Sequence, residues 1–114
     1  ANRRTARRLA RFGTGWIPWG DDRADPVAGM VRMCALFDEL GLGEVPAEVQ
    51  GSVPTVREPN GAVDLAATMA GVPDLVAAGV TDCRLALRLP DGLEEATDLL
   101  GCAVGAFQSA VGRP

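Results

Sequence analysis

The stretch Leu75–Pro90, LVAAGVTDCRLALRLP, changes its periodicity part-way along, and that change decides the fold class. Leu75 to Ala78 close a helical segment that starts near Leu65, and Gly79 ends it. From Thr81 the pattern alternates: Cys83, Leu85, Leu87 and Leu89 share one face, while Arg84, Ala86 and Arg88 share the other. A period of two is that of a β-strand with one covered face.

Working outward, the same exchange of helix for strand repeats. Residues 65–78 follow REPNGAVD, a turn with Asn60-Gly61 at its tip and Asp64 placed as the helix cap; Gly71 and Pro73 are expected to kink or split the helix. Before the turn, Glu48 to Val56 (EVQGSVPTV) is rich in Val and Thr and reads as a strand, with Gly51 implying close approach of backbone or ligand. Earlier still, Asp25-Pro26 is a strong helix start. The helix it opens places Val27, Met30, Val31, Cys34, Phe37 and Leu40 on one face and stops at Gly41. DDRADP ahead of it reads as a polar loop, and Gly15–Gly20 (GWIPWG) as a buried strand ending at Pro18. The chain opens with a helix from Arg3 to Phe12, capped by Asn2, stopped by Gly13, and marked by a narrow apolar stripe of Ala6, Leu9 and Ala10. At the other end Leu93, Ala96, Leu99, Leu100, Ala103, Val104 and Phe107 recur at helical spacing. Strict alternation of helix and strand predicts an α/β fold with a parallel sheet, in a single segment over residues 1–114.

Composition narrows the function classes. With 47% apolar and 23% charged residues the chain is too apolar for disorder, and its apolar runs are too short to cross a membrane. Net charge is −4, yet residues 1–12 hold five arginines and no acid. The acidic remainder would repel phosphate and argues against a nucleic-acid arm. Membrane binding is disfavoured because Leu9 and Phe12 are the only large apolar residues of that helix. Cys34, Cys83 and Cys102 form no CxxC and the chain has no histidine, which removes the usual zinc sites and any Ser/His or Cys/His dyad. The cysteines are expected as small buried residues in a reducing, cytoplasmic setting. No glycine-rich phosphate loop is present, and no catalytic residue stands out.

The run NRRTARRLARFGTGWIPW resembles a segment of luciferase-like monooxygenases in which a strand ending in Gly-Gly precedes a helix of the form R-R-A-A-R-x-G and then D-G-W-x-P. The Asp25-Pro26 helix, the Val-rich strand and LVAAGVTDCRLALRLP, similar to the family's L-x-x-A-G-V before a hydrophobic strand, extend the resemblance over essentially the whole chain. It is nearest to the branch that uses the deazaflavin coenzyme F-420. Thr14 departs from the pattern, standing where the family has an Asp that would cap or tether the loop.

The resemblance implies the C-terminal part of a TIM (β/α)8 barrel, roughly strands 6–8 with their helices plus the preceding helix. It implies a flavin- or deazaflavin-dependent oxidoreductase or monooxygenase, with coenzyme F-420 or FMN, acting on a small organic substrate by hydride transfer or oxygen insertion. The first helix would point its N-terminus at the cofactor phosphate, nominating Asn2, Arg3 and Arg4. Strand C-terminal ends nominate Trp19 and Arg88 for the substrate pocket, with Arg84 and Arg88 turned into the barrel. A buried Arg88 would need a phosphate, a carboxylate or an internal acid as partner. The alternative is a stand-alone, non-catalytic α/β module that self-associates through exposed strand edges. An open three-stranded sheet would leave two edges that demand covering or dimerisation, and an isolated piece of a barrel is expected to dimerise or to be partly molten; a homodimer is the expected state.

Overall fold

The computed structural model describes residues 1–113, which form two compact units. The first comprises Ala1–Ser52 and Asp74–Arg84; the second comprises Val53–Pro73 and the chain from Leu85 on. Nine elements follow in order: α1 (Arg3–Phe12), β1 (Gly15–Trp16), α2 (Asp21–Ala24), α3 (Pro26–Leu40), β2 (Glu48–Ser52), α4 (Leu65–Met69), α5 (Val72–Ala78), β3 (Asp82–Arg84) and α6 (Leu93–Val111). The three strands are parallel and lie in sequence order, β1-β2-β3, so the protein is α/β as the alternation implies.

In the first unit the helix boundaries obey local chemistry. Asn2 Oδ1 accepts the Thr5 N–H at 2.9 Å and Asp25 Oδ1 accepts the Ala28 N–H at 3.1 Å, each satisfying a first-turn donor that has no intrahelical acceptor. Gly41 ends α3 at φ 62°, a left-handed conformation that side chains resist. The strands are shorter than their sequence patterns. β1 stops after Trp16 and β2 after Ser52; Pro18 and Pro54, each two residues beyond, have no N–H to add to a ladder. Register pairs Gly15 with Glu48 and Trp16 with Val49 on one side of β2, and Gln50, Gly51 and Ser52 with Asp82, Cys83 and Arg84 on the other. Ala6, Leu9, Trp16, Met30, Met33, Phe37, Val49, Leu75 and Val80 are buried here.

Gly51 has a packing reason. A Cβ there would lie 2.8 Å from Val80 Cγ1, so the space expected for backbone or ligand is filled by Val80. The buried face of α3 also differs from expectation. Pro26, Gly29, Met30, Met33 and Phe37 are buried, whereas Val31 is 64% exposed and Cys34 is exposed. The cause is α2, which occupies the stretch expected as a polar loop. A Cβ on Gly29 would fall 2.9 Å from Asp22 Cβ, so the glycine lets α2 settle on this side of α3 and turns Val31 and Cys34 outward.

That contact is locked by charge. Asp22 is 5% exposed, and its Oδ1 accepts from Arg32 Nε at 3.0 Å and Nη2 at 2.7 Å. The Ala1 nitrogen donates to the other oxygen, Oδ2. Burial alone pushes the Asp22 carboxyl up, but the hydrogen bonds it accepts, those of the charged Arg32 guanidinium among them, outweigh it and hold it below its ordinary value.

In the second unit Asp64 Oδ1 caps α4 through the Ala67 N–H at 3.0 Å, and the Thr68 hydroxyl accepts the Val56 N–H at 2.9 Å. The Asn60-Gly61 turn forms as expected, with Gly61 at φ 85° inside an antiparallel bridge between Arg57 and Val63. The helix expected over 65–78 divides into α4 and α5 around Gly71. α4 packs on α6, which buries Ala103 and half-buries Ala96, Leu99 and Phe107. Leu100 and Val104, expected on that face, are exposed because they lie on the adjoining flank of the helix. Cys102 is exposed too, and the expectation of buried cysteines fails for it as for Cys34. Among the described residues no helix is long and apolar enough to cross a membrane.

Asp22→Asn is expected to destabilise the protein by about 1.5–3 kcal/mol at pH 7, the usual value of hydrogen bonds to a charged group. The unfolded carboxyl titrates near 3.8, so this stabilisation is present above that pH and is lost as pH falls through the lower folded value. Urea unfolding of both proteins at pH 7 and pH 3 checks it: a gap that fails to narrow at the lower pH rejects this role for the carboxylate.

Candidate functional site

Alternation along the short strands gives the sheet of the first unit two unlike faces. Trp16, Val49, Gly51 and Cys83 share one, and all but Cys83, which is half-buried, are buried. Glu48, Gln50, Ser52, Asp82 and Arg84 share the other, which is polar. A groove of about 550 Å³ runs along this region, lined by Gly15, Ile17, Glu48, Gln50, Asp82 and Arg84 among others. Arg84 Nε lies 3.6 Å from Asp82 Oδ2, both side chains being exposed, so the pair contributes little stability. The Thr81 hydroxyl accepts the Val49 N–H at 2.9 Å, and the Thr81 N–H bonds the Val49 carbonyl at 2.9 Å. These two bonds fix the entry of β3 beside β2.

The groove holds polar and charged groups but no nucleophile with a base. Cys83 is the nearest thiol, and burial, helped by the Asp82 carboxylate, pushes its pKa up. A raised pKa leaves it a thiol at neutral pH and a poor nucleophile. Among the described residues no group of three His, Cys, Asp or Glu side chains is placed to hold a metal ion.

The residues singled out from the sequence divide between the two units. Asn2, Arg3 and Arg4 stand together at the start of α1. Asn2 spends its side chain on the cap, and Arg3 forms an ion pair with Glu39 of α3. Arg4 is exposed and forms no ion pair among the described residues. Trp19 follows β1 in the same unit and is 75% exposed. Arg88 belongs to the second unit and is exposed, as is Arg84 in the first, so neither is the buried arginine expected. The physical reason is that β3 ends at Arg84: beyond it Leu85 and Leu87 remain half-buried and the intervening residues exposed, but the backbone no longer pairs in the sheet. An exposed guanidinium needs no anionic partner.

Comparison with protein-family models, curated proteins and solved structures finds no match for this chain. The site therefore stands on its own geometry. The one buried carboxylate among the described residues, Asp22, was not visible in the sequence, where DDRADP carries every mark of a solvated loop. The only signal lay in Gly29, seven residues on, whose missing side chain admits it.

The thiols provide a direct check. At mildly alkaline pH, Cys34 and Cys102 are expected to react with a disulfide reagent in a fast phase, and Cys83 in a slow phase that urea abolishes. Three equal rates in the folded protein would show that Cys83 is not shielded.

Proposed function

We propose that the chain forms three consecutive βα units of a (β/α) barrel of the luciferase-like kind, acting with coenzyme F-420 or FMN as a cytoplasmic oxidoreductase or monooxygenase on a small organic substrate. One observation carries this reading: three parallel strands in sequence order, with helical crossovers and a polar face opposite the buried one. Successive parallel strands joined by crossovers of one hand put their helices on one face and leave the other for a barrel interior.

The residues at the start of α1 fit an anionic group. The backbone N–H groups of Arg3 and Arg4 lie in the first turn and have no carbonyl four residues back within the helix, while the Thr5 N–H is taken by Asn2. The Arg4 guanidinium adds a charged donor, and Arg3 adds another when it leaves Glu39. Asn2 orients the turn through its cap. Trp19 offers an exposed aromatic plane for the substrate, and Arg88 an exposed cation in its own unit. When bound, a flavin or deazaflavin supplies the hydride or activates oxygen, and the chain's own residues bind and orient.

Assembly of a non-catalytic module through sheet edges has less support. The outer strands β1 and β3 are two and three residues long, and edges so short are poor templates for pairing with another chain.

Fluorescence titration of FMN and of coenzyme F-420 with the polypeptide as its gene encodes it tests the proposal. Saturable binding of one of them is expected, weakened roughly 10- to 100-fold by Arg4→Ala, as for loss of a hydrogen bond to a charged group. Binding of neither, by a protein that circular dichroism shows to be folded, rejects the cofactor reading.

A further inference from the structure

The five arginines of α1 lie on a single arc. Arg3, Arg7 and Arg11 are spaced one turn apart, as are Arg4 and Arg8, so together they cover about 140° of the helix, opposite buried Ala6 and Leu9. Arg3 is engaged by Glu39, while Arg4, Arg7, Arg8 and Arg11 are exposed and form no ion pair among the described residues. The Arg11 guanidinium sits 5.0 Å from the centroid of the Phe12 ring, which steadies it at the surface. Like charges one turn apart repel, and cations in a first turn oppose the helix dipole. The pattern thus works against the helix that carries it, a local conflict of the sort found where a surface serves a partner.

The complement is present in the same chain. Glu94, Glu95 and Asp98 of α6 are exposed and also unpaired among the described residues. Their spacing, i, i+1, i+4, is that of Arg7, Arg8 and Arg11, and no other helix of the described residues carries three acids so placed. The dipole accounts for Glu94 and Glu95 in the first turn of α6, but Asp98 stands a turn further on. Two helices laid side by side with these faces together would set one carboxylate against each guanidinium.

We infer that the arginine face of α1 in one copy of this chain docks on the acidic face of α6 in a second copy, through Arg7, Arg8 and Arg11 against Glu94, Glu95 and Asp98. The contact is heterologous, so every copy has one face of each kind left to offer and association continues past the dimer unless a ring closes. It is independent of the cofactor reading, which uses Arg3 and Arg4.

Sedimentation at low ionic strength tests it. The protein is expected to show mass rising with concentration, and to revert to monomer in about 1 M NaCl, where the screening length is roughly 3 Å. The triple reversal of Arg7, Arg8 and Arg11 to Glu, and the triple reversal of Glu94, Glu95 and Asp98 to Arg, should each lose self-association while keeping their helical circular dichroism. An equimolar mixture of the two restores every pairing and should associate again. A wild-type monomer at low salt, association that persists in 1 M NaCl, or a mixture that stays monomeric overturns the inference. So does association in which salt breaks the complex but the reversed variants still assemble.

Discussion

A carboxylate removed from water sets the terms for the first unit. Asp22 has lost nearly all its hydration, and an ionised group in that position is tolerated only with full compensation from donors. Three N–H donors provide it, two from Arg32 and one from Ala1. Because these donors come from α3 and from the residue ahead of α1, one side chain fixes the position of α2 against both. Gly29 is the steric counterpart of this electrostatic lock, since any side chain there would hold α2 away and break the alignment of Asp22 with Arg32. The orientation of α3, and so the choice of Met33 over Val31 for burial, follows from that one arrangement.

The sheet beside it has different demands on its two faces. One face is closed by packing around Trp16 and Val49, while the other presents Glu48, Gln50, Ser52, Asp82 and Arg84. Strands that alternate this way in a parallel sheet are unusual, because parallel sheets commonly carry apolar side chains on both faces. The polar second face leaves the sheet of this unit with a packed side and a side that carries charge.

Local signals in the sequence were reliable where a single backbone group decided the outcome. Asn2, Asp25 and Asp64 cap as their spacing implies, and Gly41 and Gly61 take the left-handed conformations their positions require. Alternation of helix and strand was enough for a parallel sheet in sequence order. Errors arose wherever a neighbour distant in sequence made the decision. The helical period of α3 is compatible with several faces, and only α2, itself disguised as a loop, selects among them. The alternation is real as a burial pattern from Cys83 to Leu87, with Leu89 exposed, but ladder pairing depends on β2, which ends at Ser52 opposite Arg84. Arg88 consequently lies outside the sheet, and no ladder fixes it on the face that Arg84 occupies. Trp19, read as a pocket wall, is exposed for a comparable reason: β1 ends before it.

Gly51 and Val80 divide one volume between them. With the Cβ of any residue at 51 falling 2.8 Å from Val80 Cγ1, the two positions cannot drift independently. A larger residue at 51 becomes acceptable after Val80 has shrunk, and a change in that order passes through a folded intermediate with a small void. The reverse order passes through a clash between the β2 position and the stiff, buried Val80 side chain two residues ahead of β3. A larger residue at 51 is therefore tolerated only in company with a smaller one at 80, and the two orders of change are not equivalent.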